Sequence, residues 1–190
     1  MKTIAHRGGM GRGMQNAPAG VRLAVRQRMD CVELDVVRSV GGGFHCAHHA
    51  WSPKADLNDC LAEMAPGMGL VAHLKGGYTE GDLTRVMEAI ALQVPLSHVT
   101  FASHRTAVLQ SLRRLRPEVR LARFGIFPAL LSLCRRQPWD CCMINQLVLP
   151  RWLVQALQRR GYEVVASCVW ELRPRQSVRE LGVDGAFVNL

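Results

Sequence analysis

The stretch Cys31-Val-Glu-Leu-Asp-Val-Val37 sets two carboxylates two residues apart inside an otherwise apolar run. An extended chain points residues i and i+2 to the same face, so Glu33 and Asp35 project side by side while Val32, Leu34 and Val36 pack the other way. Adjacent acids repel unless a bound cation, an arginine or a raised pKa offsets the repulsion. The segments on either side of this strand decide among the three.

Outward from it, short β-branched or apolar runs alternate with stretches of helical period along the whole chain. The pattern predicts strands at about 2–6, 31–36, 69–75, 98–102, 119–123, 141–145, 163–169 and 185–188. Helical patterns lie between them at Ala17–Arg28, Leu57–Met64, Gly81–Leu92, Arg105–Leu115, Phe127–Arg136, Arg151–Arg160 and Pro174–Leu181. Gly161 and Gly182 stand where helix C-terminal glycines precede a strand. Eight strands alternating with helices argue for an α/β fold with a parallel sheet, closed as a compact (β/α)8 TIM barrel whose chemistry sits at the C-terminal strand ends. Such barrels typically run to about 250 residues, so a 190-residue version has short helices and no helix after the eighth strand. The alternative is an open doubly wound sheet, but no glycine-rich phosphate loop opens a first helix to support it.

At 48% hydrophobic, the chain can bury a core without disulfides, and no polar linker divides it, which makes residues 1–190 a single expected domain. Met1–His6 runs directly into a strand, leaving no room for a signal peptide, and no apolar run reaches the length of a membrane span. Seven cysteines without CxxC spacing read as reduced thiols in a cytoplasm. The net charge of +9 comes from 21 Arg against 3 Lys. Such a surface suits phosphate esters and phospholipid headgroups, but nucleic acid is not an expected partner because no aromatic-interleaved patch or nucleic-acid module accompanies it. The arginine clusters at 113–116, 135–136 and 159–160 are expected to face solvent late in helices.

Several strand ends carry unusual polar groups. The first ends in His6-Arg7-Gly8-Gly9, and the loop after the second contains His45, His48 and His49. The third ends in His73-Leu-Lys75, where His73 and Lys75 share a face as Glu33 and Asp35 do. A carboxylate pair with histidines would hold a divalent cation, Arg7 and Lys75 would meet an anion bridging to it, and two histidines from different loops would serve as acid and base. Taken singly, each element has a structural reading: a hydrogen-bonded strand histidine, or acids paired with arginines.

The order Ala5-His6-Arg7-Gly8-Gly9, Gln15-Asn16-Ala17, Val32-Glu33-Leu34-Asp35-Val36 and then His48, thirteen residues after Asp35, resembles the glycerophosphodiester phosphodiesterase family of the PI-PLC-like superfamily. Later stretches resemble it more loosely: Leu70–Lys75, Phe101–His104 and Leu181–Gly185. The resemblance implies a (β/α)8 barrel, a role in lipid metabolism, a divalent cation, commonly calcium or magnesium, and hydrolysis of a small phosphodiester to a phosphomonoester and an alcohol. It implies His6 and His48 as the acid/base pair, Glu33, Asp35 and His73 at the metal-ligand positions, and Arg7, Lys75 and Trp170 as substrate contacts. Whether water or a substrate hydroxyl attacks is left open.

Three positions depart from the family pattern. Gln15, His49 and His73 stand where the family has acids, and the segment Ser167-Cys168-Val169-Trp170 replaces "WTVN". The loss of negative charge disfavours calcium and suits manganese, zinc or another imidazole-accepting ion. Two further readings follow: a degenerate member that binds an anionic phosphate ligand, or a metal hydrolase using His48, His49 and His73 as extra ligands. The absent eighth helix would leave barrel hydrophobics uncovered, which favours a homodimer across that side. Trp51 is expected near the mouth.

Overall fold

The computed structural model describes residues 1–9, 11, 13–39, 41–49, 55–167 and 176–190. Ten strands form one sheet: β1 (Lys2–Ala5), β2 (Cys31–Arg38), β3 (Phe44–Cys46), β4 (Ala55–Asp56), β5 (Gly69–Leu74), β6 (Val99–Ser103), β7 (Arg120–Phe124), β8 (Cys141–Asn145), β9 (Glu163–Ser167) and β10 (Gly185–Val188). Eight of them run parallel, in the order β1, β2, β5, β6, β7, β8, β9, β10, and pairing of β10 back onto β1 closes the barrel. The helices are α1 (Pro18–Arg26), α2 (Leu57–Leu61), α3 (Glu80–Ala91), α4 (Thr106–Leu115), α5 (Ile126–Cys134), α6 (Arg151–Arg159) and α7 (Gln176–Glu180). One follows each of the first seven barrel strands, and β10 ends two residues before Leu190. The compact (β/α)8 barrel is therefore the observed fold, and among the described residues no helix follows β10.

The predicted strands all form. The departure is the hairpin of β3 and β4, which pairs antiparallel onto β2 where a loop was expected. Gly41–Gly43 lies in the tight turn between β2 and β3, with Gly43 N–H donating to Ser39 Oγ.

Alternation of side chains splits the core in two. Val32, Leu34 and Val36 face outward into the layer shared with the helices and are wholly buried. The barrel interior is filled by Ile4, Val71, Ala102, Ala122, Met143, Val165 and Phe187. Above this plug, at the C-terminal strand ends, the inward positions turn polar. Among the described residues, no helix is long and apolar enough to cross a membrane.

Two expectations about the surface are corrected. The outward residues Ala5, Ala186 and Val188 of β1 and β10 are buried, so no apolar barrel face is left open there, and the reason given for a dimer across that side falls. Small side chains on these two strands leave little to cover. Arg113 does not simply face solvent: its guanidinium donates to the Pro138 and Val119 carbonyls and to Asp140.

The start of the chain is folded by close backbone approach. Gly8 has φ +75°, and a Cβ there would lie 3.0 Å from the Gly20 carbonyl carbon. A Cβ on Gly20 would come within 2.2 Å of the Met14 carbonyl oxygen. Gly20→Ala is therefore expected to destabilise by about 1–3 kcal/mol through overpacking. That lowers the melting temperature by roughly 2–4 °C for each kcal/mol in a chain of this size, as thermal unfolding would record; an unchanged melting temperature would show that the loop relaxes freely.

Candidate active-site cleft

Strand β1 ends at Ala5, and His6–Gly8 form a single 3-10 turn in which Arg7 takes a left-handed backbone (φ 53°). Asn16 is left-handed too (φ 52°). Neither residue is glycine, so both conformations cost energy and persist because neighbours fix them. Arg7 N–H donates to Glu33 Oε2 (2.9 Å), and Asn16 N–H donates to the Arg7 carbonyl (2.8 Å). The Asn16 side chain grips Asp35 twice, accepting from its N–H (2.8 Å) and donating to Oδ2 (3.1 Å). The loop before α1 is thus pinned to the acidic strand.

Glu33 and Asp35 are 2% and 1% exposed, so their charges must be answered inside the protein. Around Asp35 Oδ2 stand Arg7 Nε (3.3 Å) and His48 Nδ1 (3.1 Å) as well as Asn16; at Oδ1 stand Lys75 Nζ (3.0 Å) and His73 Nδ1 (3.1 Å). His73 Nδ1 also lies 3.4 Å from Glu33 Oε1. Burial works to raise the Asp35 pKa, but the hydrogen bond from His73, the Lys75 charge and Asn16 prevail and hold the carboxyl well below the usual range. Burial likewise works to lower the His73 pKa and is overcome by Asp35 and Glu33, leaving the imidazole above its ordinary value. At His48 burial wins over Asp35, and the pKa is lowered. The question raised by two adjacent acids is answered by several basic groups at once.

The two acid/base candidates are held differently. His48 follows β3, and Ala47 N–H donates to the Asp35 carbonyl (3.0 Å), which folds the hairpin back over the end of β2. With Nδ1 directed at Asp35, His48 Nε2 accepts from Arg7 Nη2 (3.2 Å). His6 Nδ1 donates to Asn189 Oδ1 (3.0 Å), and its ring meets Phe187 edge-on at 5.8 Å. In both rings the Nδ1 contact leaves Nε2 as the nitrogen that can exchange a proton.

The acidic pair, the two histidine candidates and the basic groups around them line one cavity of about 310 Å³. His6, Arg7, Glu33, Asp35, His48, His73 and Lys75 form its polar wall, and Phe124, Met143 and Phe187 form an apolar wall beside it. Seven of the eight sequence-derived site residues are therefore brought together, while Trp170, like Trp51, lies outside the described residues. Glu33, Asp35 and His73 each present a ligand atom within 4.8 Å of the others, a buried set able to hold a divalent cation. His73 Nε2 is buried with no hydrogen-bond partner among the described residues, and the ring packs tilted against Phe124 (4.4 Å between centroids).

Sequence reasoning gave no role to Asn16, His104 or Asn189. His104 sits beside His73 (5.1 Å) and over Phe124 (4.8 Å); partial burial, then His73 and Lys75, push its pKa down to about 4, so it stays neutral. The one available signal was position, since His104 directly follows the end of β6.

No family model and no curated protein matches the chain. Solved structures do. A phosphodiesterase of Oleispira antarctica, in complex with the product sn-glycerol-3-phosphate, superposes with a TM-score of 0.84 at 20% identity, over 99% of this chain and 92% of the other. A glycerophosphodiester phosphodiesterase of Parabacteroides distasonis gives 0.80 at 17% identity over 100% and 92%, and one of Agrobacterium tumefaciens 0.75 at 19% over 100% and 96%. The chain has the barrel fold of glycerophosphodiester phosphodiesterases over its whole length.

Proposed function

We propose that the protein is a phosphodiesterase that hydrolyses a glycerophosphodiester-like substrate to a phosphomonoester and an alcohol by two-histidine acid/base catalysis. The observation that carries this reading is the convergence of His6 and His48, each with Nδ1 engaged and Nε2 left for proton transfer, on a cavity whose polar wall is lined by Arg7 and Lys75. The resemblance of the barrel to phosphodiesterases supports it, one of them holding a glycerol phosphate product.

Arg7 and Lys75 bind and orient the phosphate, and the apolar wall receives the organic part of the ester. His48, kept neutral by its lowered pKa and backed by Asp35, takes a proton from the attacking water; the Asp35 carboxylate stabilises the imidazolium that forms. A protonated His6 gives its proton to the departing alkoxide as the bond from phosphorus to the leaving oxygen breaks. Asn189 keeps the His6 ring turned so that Nε2 faces the reaction.

The donor set fits a divalent cation, which when bound to Glu33, Asp35 and His73 would supply positive charge to the phosphoryl oxygens. One imidazole among two carboxylates favours manganese or zinc over calcium. His73→Glu is therefore expected to turn the preference toward calcium or magnesium, read both as turnover and as the rise in melting temperature on adding each ion to metal-stripped protein. The same ion order in both proteins would remove His73 from the ligand set.

A second reading, an anion-binding protein without turnover, is favoured by the pairing of Arg7 and Lys75 with Asp35, which answers the acidic charge from the protein's own side chains. Hydrolysis of bis(p-nitrophenyl) phosphate and glycerophosphodiesters by metal-stripped protein with calcium, magnesium, manganese or zinc restored separately decides between the two. Turnover supports the phosphodiesterase; thermal stabilisation by phosphate esters that are never consumed supports the binding protein.

A further inference from the structure

Five large apolar side chains stand exposed in one sector of the barrel: Phe127 (78%), Leu131 (51%), Leu147 (80%), Val148 (49%) and Trp152 (58%). Phe127 and Leu131 lie one turn apart on α5, Trp152 lies in the first turn of α6, and Leu147 and Val148 belong to the 3-10 turn Gln146–Val148 that leads into α6. These segments start at the C-terminal strand ends. Gly125, just before α5, and Asn145, just before the 3-10 turn, both line the cleft, so the apolar rim continues the apolar wall formed by Phe124 and Met143.

The charge of the same sector is one-sided. Between Phe101 and Arg160 the only acids are Glu118 and Asp140. Both precede strands β7 and β8 and so lie at the far end of the barrel. The first turns of α4, α5 and α6 hold no acid, and Arg105 and Arg151, exposed at the starts of α4 and α6, are basic. A soluble surface has little reason to combine an exposed aromatic and aliphatic rim with uncompensated arginine beside its cleft. Such a combination matches the headgroup boundary of an anionic bilayer, where apolar side chains enter and arginines meet lipid phosphates. A second copy fits less well. A two-fold interface would press the patch against itself, bringing basic rims together with no acid from α4, α5 or α6 between them.

We infer that the β7–α5 and β8–α6 corner of the mouth docks on an anionic lipid bilayer. The phosphodiester taken into the cleft is then the headgroup of a lipid presented at that surface, a step that rests on the phosphodiesterase reading. Cosedimentation with vesicles of phosphatidylcholine, alone or mixed with phosphatidylglycerol, tests the docking without requiring turnover. Wild-type protein is expected to bind the mixed vesicles and to bind phosphatidylcholine weakly. The triple variant Phe127→Ser, Leu147→Ser, Trp152→Ser and the double variant Arg105→Glu, Arg151→Glu should each lose at least about tenfold in partitioning. Both should hydrolyse bis(p-nitrophenyl) phosphate as wild type does while losing a lysophospholipid embedded in vesicles. Absence of vesicle binding, or binding unchanged in both variants, overturns the inference. A wild-type dimer by light scattering that becomes monomeric in the triple variant, without vesicle binding, assigns the patch to a second copy and overturns it as well. Vesicle binding with no diester turned over upholds the docking and removes the phosphodiesterase reading instead.

Discussion

Replacing either His6 or His48 by alanine is expected to lower kcat on a glycerophosphodiester by about 10²–10⁴-fold, the usual contribution of a positioned acid or base. The fold should survive. His6 gives up one hydrogen bond, to Asn189, and an edge contact with Phe187, which together cost about 1 kcal/mol. His48 is half-buried on a loop, and its loss leaves Asp35 still facing Arg7, Asn16, His73 and Lys75. Circular dichroism and melting should therefore stay near wild type while turnover collapses. The pH profile adds an independent check. His48 accepts a proton only when neutral, and burial lowers its pKa, so the acid limb of the kcat/KM profile should fall below the ordinary imidazole value of about 6.5. Activity retained in both alanine variants would eliminate the two-histidine mechanism.

The barrel was legible because its two periods are written plainly. Val32, Leu34 and Val36 alternate with Glu33 and Asp35, and His73 and Lys75 repeat the alternation one barrel strand later, with Asp35 paired to His73 and Glu33 to Val71 across the ladder. The hairpin escaped notice because β3 has three residues and β4 two, too few to display any period. Asn16 and Asn189 went without roles for a different reason. Their partners stand 19 and 183 residues away, and nothing in a short polar residue announces which distant strand end it will meet. The sequence Ile126–Cys134, apolar almost throughout, reads as a buried helix, yet Phe127 and Leu131 are open to solvent. Periodicity says which face of an element is apolar; only the packed barrel says whether anything covers it.

The largest stability effect should come from Asp35→Asn, a change of one atom and one charge. The carboxylate is 1% exposed and answers Arg7, Lys75, His48 and His73 simultaneously. Neutralising it leaves those basic groups facing one another across a buried amide that can still satisfy Asn16. Removing one partner of a buried ion pair costs about 3–5 kcal/mol. For a chain of this length that corresponds to a fall in melting temperature on the order of 10–15 °C at neutral pH. The sign with pH follows from linkage. The folded Asp35 pKa lies below the unfolded value, so its contribution is fully present above about pH 4. It fades only as the pH falls toward the depressed folded pKa. The gap between wild type and Asp35→Asn should therefore hold from neutral pH down to about 5 and close at lower pH. A variant as stable as wild type, or more stable, would mean that crowding of Glu33 beside Asp35 costs as much as the surrounding cations return. The carboxylate would then be retained for ligand binding and catalysis alone, and activity lost without stability would be the signature of a site kept strained for its chemistry.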